Sequence, residues 1–108
     1  MSFEVGKRLY RYTIRDYKFL RHDGTVHAHG NYYFVAFDDG SKNARCPRES
    51  DIGVIRNTGP SLWLENDDDE LAMHIYLGHE MCRVAALEKQ VETKRKVIDM
   101  LSKLIKEF

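Results

Sequence analysis

Tyr32-Tyr33-Phe34-Val35-Ala36-Phe37-Asp38-Asp39-Gly40-Ser41 is the stretch that decides the fold class. Its first six residues are aromatic or aliphatic and read as a strand. Both faces of that strand are apolar, which places it centrally in a sheet. Asp38 to Ser41 close it as a tight hairpin turn, because Asp-Gly tolerates the positive φ such turns require. Lys42 to Cys46 then form the returning strand, and Pro47, which has no N–H to give a ladder, stops it.

Working outward toward the N-terminus, Leu9-Tyr10-Arg11-Tyr12-Thr13-Ile14-Arg15 is a second strand by its β-branched and aromatic content. Alternation puts Tyr10, Tyr12 and Ile14 on one face and Arg11, Thr13 and Arg15 on the other, which predicts a half-buried strand with a basic outer face. Tyr17 to Leu20 extend it after an irregularity. Asp23-Gly24 and Gly30-Asn31 are turn signals, and Thr25 to His29 between them read as a short strand or a loop. On the other side of the central stretch, Ser50 to Ile55 are a short strand or a single helical turn, Thr58-Gly59-Pro60 is a break, and Ser61 to Glu65 form a last short strand. Short strands with tight turns across residues 1–65 predict a small barrel or a bent antiparallel sheet.

Beyond it the periodicity changes. Asn66-Asp67-Asp68-Asp69-Glu70 opens a helix expected from Asp67 to Phe108, with acids capping free N–H groups and facing the positive end of the dipole. From Val84 the apolar residues step by three and four: Val84, Leu87, Val91, Lys94, Ile98, Leu101, Ile105, Phe108. With Val84 as position a, every a residue is β-branched and d holds Leu87, Lys94, Leu101 and Phe108. That is the preference of parallel two-stranded coils. Val97 and Leu104, at position g, widen the stripe, which leaves open an ordinary helix docked on its own β domain. Leu71, Ile75, Leu77 and Met81 follow another stripe, and Gly78 predicts a bend or break near that point. The expectation is α+β: a β domain over 1–65 and a helical dimerisation or packing segment over 66–108.

Composition narrows function mostly by exclusion. Lys plus Arg number 17 and Asp plus Glu also 17, so the chain is neither an acidic DNA mimic nor a uniformly basic nucleic-acid binder. No apolar run approaches the roughly 18 residues of a membrane span, and the start lacks a basic-then-apolar leader, so the expected location is cytoplasmic. Cys46 and Cys82 make no disulfide framework and read as inert thiols. His22, His27 and His29, the pair His79 and Cys82, and the run of three aspartates are each incomplete as ligand sets, so neither metal nor cofactor is expected. No nucleophile elbow, phosphate loop or His-Glu-x-x-His occurs, and the chain does not read as an enzyme.

Two surfaces remain as candidates. Val84, Leu87, Val91, Ile98, Leu101 and Ile105 would carry self-association. Arg8, Tyr10, Arg11, Tyr12, Arg15 and Lys18 interleave cations with rings, as a phosphate-binding and base-stacking strand would, although cations also protect a solvated edge strand.

The hairpin Phe34 to Ser41, followed by Ser50-Asp51-Ile52, resembles Tudor-like and other SH3-like small barrels. That resemblance implies a binding domain, and by the matching hairpin Phe37 and Asp39 would be cage-like positions for a methylated side chain. The whole arrangement, with Val5-Gly6 at the start of the β unit and Leu62-Trp63-Leu64 before the acidic helix start, is similar to short bacteriophage and mobile-element accessory proteins. This implies a viral protein that works by binding a host protein, with inhibition of host defence as the outcome. The alternative expectation is nucleic-acid binding through the basic strand.

Overall fold

The computed structural model describes residues 3–56 and 61–107. The expected break at Thr58-Gly59-Pro60 and the d-position Phe108 lie outside the described residues. The chain forms two compact units, Met1–Tyr76 and Leu77–Phe108. The division falls inside the helix rather than before it.

The first unit is a curled antiparallel sheet of five strands: β1 (Arg8–Arg15), β2 (Lys18–His29), β3 (Tyr32–Phe37), β4 (Ala44–Arg45) and β5 (Leu62–Leu64). Their order is β4-β3-β2-β1-β5. A short 3-10 helix, Glu49–Asp51, and a parallel bridge from Ile52 to Trp63 precede the return of β5 to β1. The fold class is therefore α+β, with sheet first and helix last.

Two corrections concern β2. The irregularity expected near residue 16 is a hairpin: Arg15 pairs with Lys18, and Asp16 and Tyr17 between them both have positive φ, at 53° and 62°. Two consecutive positive φ angles match the right-handed twist of the flanking strands. Asp-Tyr carries no glycine to advertise such a turn. Conversely, Asp23-Gly24 is not a turn. Both residues lie inside β2, and Gly24 lacks the positive φ that a turn glycine would show. Its role is space. A side chain at position 24 would overlap Val35 Cγ1 and crowd Phe37 Cδ1 at 3.1 Å.

That closeness shapes the sheet. Gly24 and Thr25 pair with Leu9 and Arg8 on one side and with Phe37 and Ala36 on the other. Before them β2 belongs to β1; after them it belongs to β3. The strand bends there, and the sheet curls around an inner cluster of Phe3, Leu9, Val26, Val35, Phe37 and Trp63. Gly30-Asn31 is a turn as expected, joining His29 to Tyr32. β3 is paired on both sides, although only one of its faces is buried: Val35 and Phe37 point inward while Tyr32 is exposed. The returning strand is shorter than expected. Only Ala44 and Arg45 pair with β3.

The other face of β1 and β5 is covered by the first turns of helix α1 (Asp69–Lys106), up to Tyr76. Tyr12, Leu62, Leu64, Ala72 and Tyr76 form a second cluster, with Tyr10, Phe19, Ile55 and Ile75 packed at its edge. β5 serves both clusters by alternation: Trp63 faces inward, and Leu62 and Leu64 face the helix. All three are buried. This is why Leu62-Trp63-Leu64 is continuously apolar.

The helix starts at Asp69 rather than Asp67, because Asp68 is its cap: Leu71 N–H donates to Asp68 Oδ1 at 3.0 Å. It runs without a break through Gly78, where the sequence predicted one. Gly78 stands in open space, with nothing within 4 Å of its would-be Cβ. The cost of glycine, about 1 kcal/mol against alanine, is insufficient to interrupt 38 residues of helix.

A Gly24→Ala variant should lose about 1–3 kcal/mol, the usual cost of overpacking a filled site. Urea denaturation with unchanged slope would measure it. A loss below a few tenths of a kcal/mol would show that β2 can bend without the contact.

Candidate interaction surfaces

The seam residues predicted on the helix all lie in the second unit, and all are exposed in the single chain. Exposure runs from 48% at Leu101 to 70% at Ile105, with Val84, Leu87, Val91 and Ile98 between. Leu77, Met81, Val97 and Leu104 are exposed as well. Among the described residues of this unit none is buried. Regular apolar side chains with no cover of their own differ from the scattered exposed leucines of an ordinary surface.

The basic strand is arranged differently from the expectation. Its six residues are split between two faces and two environments. Arg8 lies against Asp38 in a forked pair, Nη1 to Oδ1 at 2.9 Å and Nη2 to Oδ2 at 2.6 Å, and also donates to Thr25 Oγ1 at 2.8 Å. The guanidinium holds the Asp38 carboxyl below the usual carboxylate range. Tyr10 is half-buried at the helix-side cluster with the Arg21 guanidinium 6.0 Å above its ring. Tyr12 is fully buried and stacks on Phe19 at 5.4 Å, so its ring has no free face for a base. Arg15 and Lys18 are exposed beside the hairpin tip, where Tyr17 stands fully in solvent.

Arg11 is the clearest correction. Instead of lining a basic outer face, it points into the inner cluster. Its guanidinium carbon lies 4.3 Å from the Phe37 ring centroid and 5.9 Å from that of Trp63. Nε is buried without a hydrogen-bond partner, and burial lowers the group's pKa. The residues singled out as cage-like by the barrel resemblance meet here. Phe37 lies under Arg11, and Asp39 accepts from His22 Nδ1 at 2.7 Å and from Ser41 N–H at 2.9 Å. Those two contacts, Ser41 first, hold Asp39 well below the ordinary carboxylate range. His22 in turn packs edge-on to Phe37. The aromatic box around position 37 thus contains the chain's own cation.

A network that sequence reading missed ties the helix start to the sheet. Tyr12 OH donates to Asp69 Oδ1 at 2.8 Å, Arg21 Nη1 donates to the same oxygen at 3.0 Å, and Tyr76 OH donates to the Tyr12 carbonyl at 2.8 Å. The acidic helix start therefore serves the cap through Asp68 and the sheet through Asp69. Among the described residues no group of three His, Cys, Asp or Glu converges as a metal site requires. Cys46 is half-buried against the inner cluster and Cys82 is exposed. No helix among the described residues is long and apolar enough to cross a membrane.

No known protein family, curated protein or solved structure matches the chain.

The buried tyrosines set a pH limit. Burial pushes Tyr76 up to about 12, and burial followed by the Asp69 contact pushes Tyr12 upward as well. A raised folded pKa contributes stability that is complete below the unfolded value of about 10 and is lost as pH rises through the folded value. Phenolate absorbance followed beside circular dichroism should show a late ionisation step that coincides with unfolding. Ionisation of all six tyrosines with the fold intact would refute this.

Proposed function

We propose that the protein is a non-enzymatic binding module, a small SH3-like β unit carried on a self-associating helix, which acts by occupying a partner protein. The exposed heptad stripe of the second unit carries this reading. The strand order supports the barrel resemblance: four strands in sequence, a 3-10 turn, and a fifth strand returning to the first.

Energetics favour a second copy as the cover for the stripe. Full burial of a Val, Leu or Ile side chain contributes about 1.5–3 kcal/mol. Six such residues per copy, even half-buried, outweigh or match an association cost of about 4–15 kcal/mol. β-branched residues at a and leucines at d select a parallel pair. In that register Arg83, at position g, reaches Glu88, at position e, of the second copy. Lys94 costs stability at one layer and fixes the register.

A dimer presents two β units, and two tethered sites bind a multivalent target with higher effective affinity without any new contact. The architectural similarity to phage and mobile-element accessory proteins makes a host protein the partner and inhibition of a host system the outcome.

Light scattering at micromolar concentration should give twice the chain mass of 12.7 kDa. Leu101→Asp, which places two carboxylates in one layer, should return it to a single chain with the β unit still folded. A monomeric wild-type protein overturns the proposal. An unchanged mass in the Leu101→Asp variant overturns the heptad assignment.

A further inference from the structure

Four of the first unit's ten lysines and arginines are tied to a carboxylate: Lys7 to Glu65, Arg8 to Asp38, Arg21 to Asp23 and Asp69, Arg56 to Asp51. Arg45 has no such ion pair among the described residues. It lies in register beside Phe34, which lies in register beside His27, so the three form a row across β4, β3 and β2. This row is on the outer face of the sheet, opposite Val26 and Val35 of the inner cluster.

The rings there are stacked. His27 and Phe34 have centroids 5.6 Å apart, and Phe34 and Tyr32 have centroids 6.1 Å apart, each pair inclined by 18°. None of the three belongs to either core cluster. Phe34 is half-buried within the column, whereas His27 is exposed and Tyr32 is 54% exposed. Rings that only screened one another would need nothing beyond their ends. Here the Tyr32 end opens on a groove of about 610 Å³, lined also by Asn31, Tyr33, Arg45, Arg48 and Glu49. An aromatic column that ends in a groove with two guanidinium groups matches a planar, anionic, repeating ligand. Bases extend the column by stacking, and backbone phosphates take the cations.

We propose that the outer face of β2, β3 and β4 binds single-stranded nucleic acid, with a base stacked on Tyr32 and backbone phosphates on Arg45 and Arg48. This site is distinct from the β1 set, in which Tyr12 is buried and Arg8 and Arg11 are engaged. A double helix does not fit it, because paired bases offer no free ring face.

The test uses fluorescence anisotropy of labelled single-stranded DNA and RNA oligonucleotides, with the full chain and low salt. Binding should weaken steeply between about 50 and 200 mM salt. Tyr32→Ala should weaken it on the order of ten-fold, the usual effect of removing one stacking ring, and Tyr32→Phe should retain it. Arg45→Gln should weaken binding and flatten its salt dependence. The double variant Arg15→Ala, Lys18→Ala should bind as the parent does. All the changed residues are exposed, and circular dichroism checks that each variant is folded. The assignment is overturned by absence of binding at low salt, by binding indifferent to Tyr32→Ala, or by loss of binding in the Arg15/Lys18 variant. Equal affinity for duplex would also sink it, as would a protein ligand that needs Tyr32 while oligonucleotides do not bind. The dimer proposal is read by mass alone, so either can fail without the other.

Discussion

The space that a side chain at position 24 would need is occupied by Val35 Cγ1. At that point β2 passes from one partner to the other, Gly24 and Thr25 pairing with β1 on one side and with β3 on the other. On the concave side of the curled sheet Leu9, Val26, Val35, Phe37 and Trp63 pack as one cluster. The opposite face of β1 and β5 is then left apolar, with Tyr12, Leu62 and Leu64 exposed unless something covers them. The first turns of α1 do so through Ala72 and Tyr76. β1 and β5 are therefore sandwiched between two clusters rather than half-buried.

What the sequence revealed and what it concealed follow from the same physics. Local signals were legible: the strand Tyr32–Phe37, the turns at Gly30-Asn31 and at Asp38 to Gly40, the acidic cap, and the apolar run that becomes β5. Each depends on neighbours in the chain. Features set by distant neighbours were not legible. Gly24 reads as a turn residue until Val35 is placed beside it. Asp16-Tyr17 carries no glycine, yet its positive φ angles are imposed by the twist of β1 and β2. Gly78 reads as a breaker because propensity ignores the 38 residues of helix around it. Alternation in β1 predicts one core and one solvent face, yet both faces of its first half are covered, Leu9 by the inner cluster and Tyr10 and Tyr12 by the helix-side cluster.

The same limit applies to the sites. A heptad is a one-dimensional pattern, and a continuous helix keeps its residues exposed along the second unit as the spacing implies. The basic strand was also a one-dimensional pattern, and it dispersed in three dimensions: a forked ion pair for Arg8, an aromatic box for Arg11, a buried stack for Tyr12. The His27, Phe34 and Arg45 row could not be read from spacing, because it exists only through the registers of two strand pairings. Equal totals of acidic and basic residues conceal how unevenly the pairing leaves individual cations.

The anchoring of α1 has a kinetic side. Starting a helix is its unfavourable step, since several residues must be fixed before the first internal bond is repaid. Here Asp68 caps the start, Asp69 is held by Tyr12 and Arg21, and Tyr76 is bonded to the Tyr12 carbonyl. These contacts fix the first turns of the helix on the β unit. Propagation adds one bond per residue fixed, so a helix started on these contacts needs no second nucleus to extend.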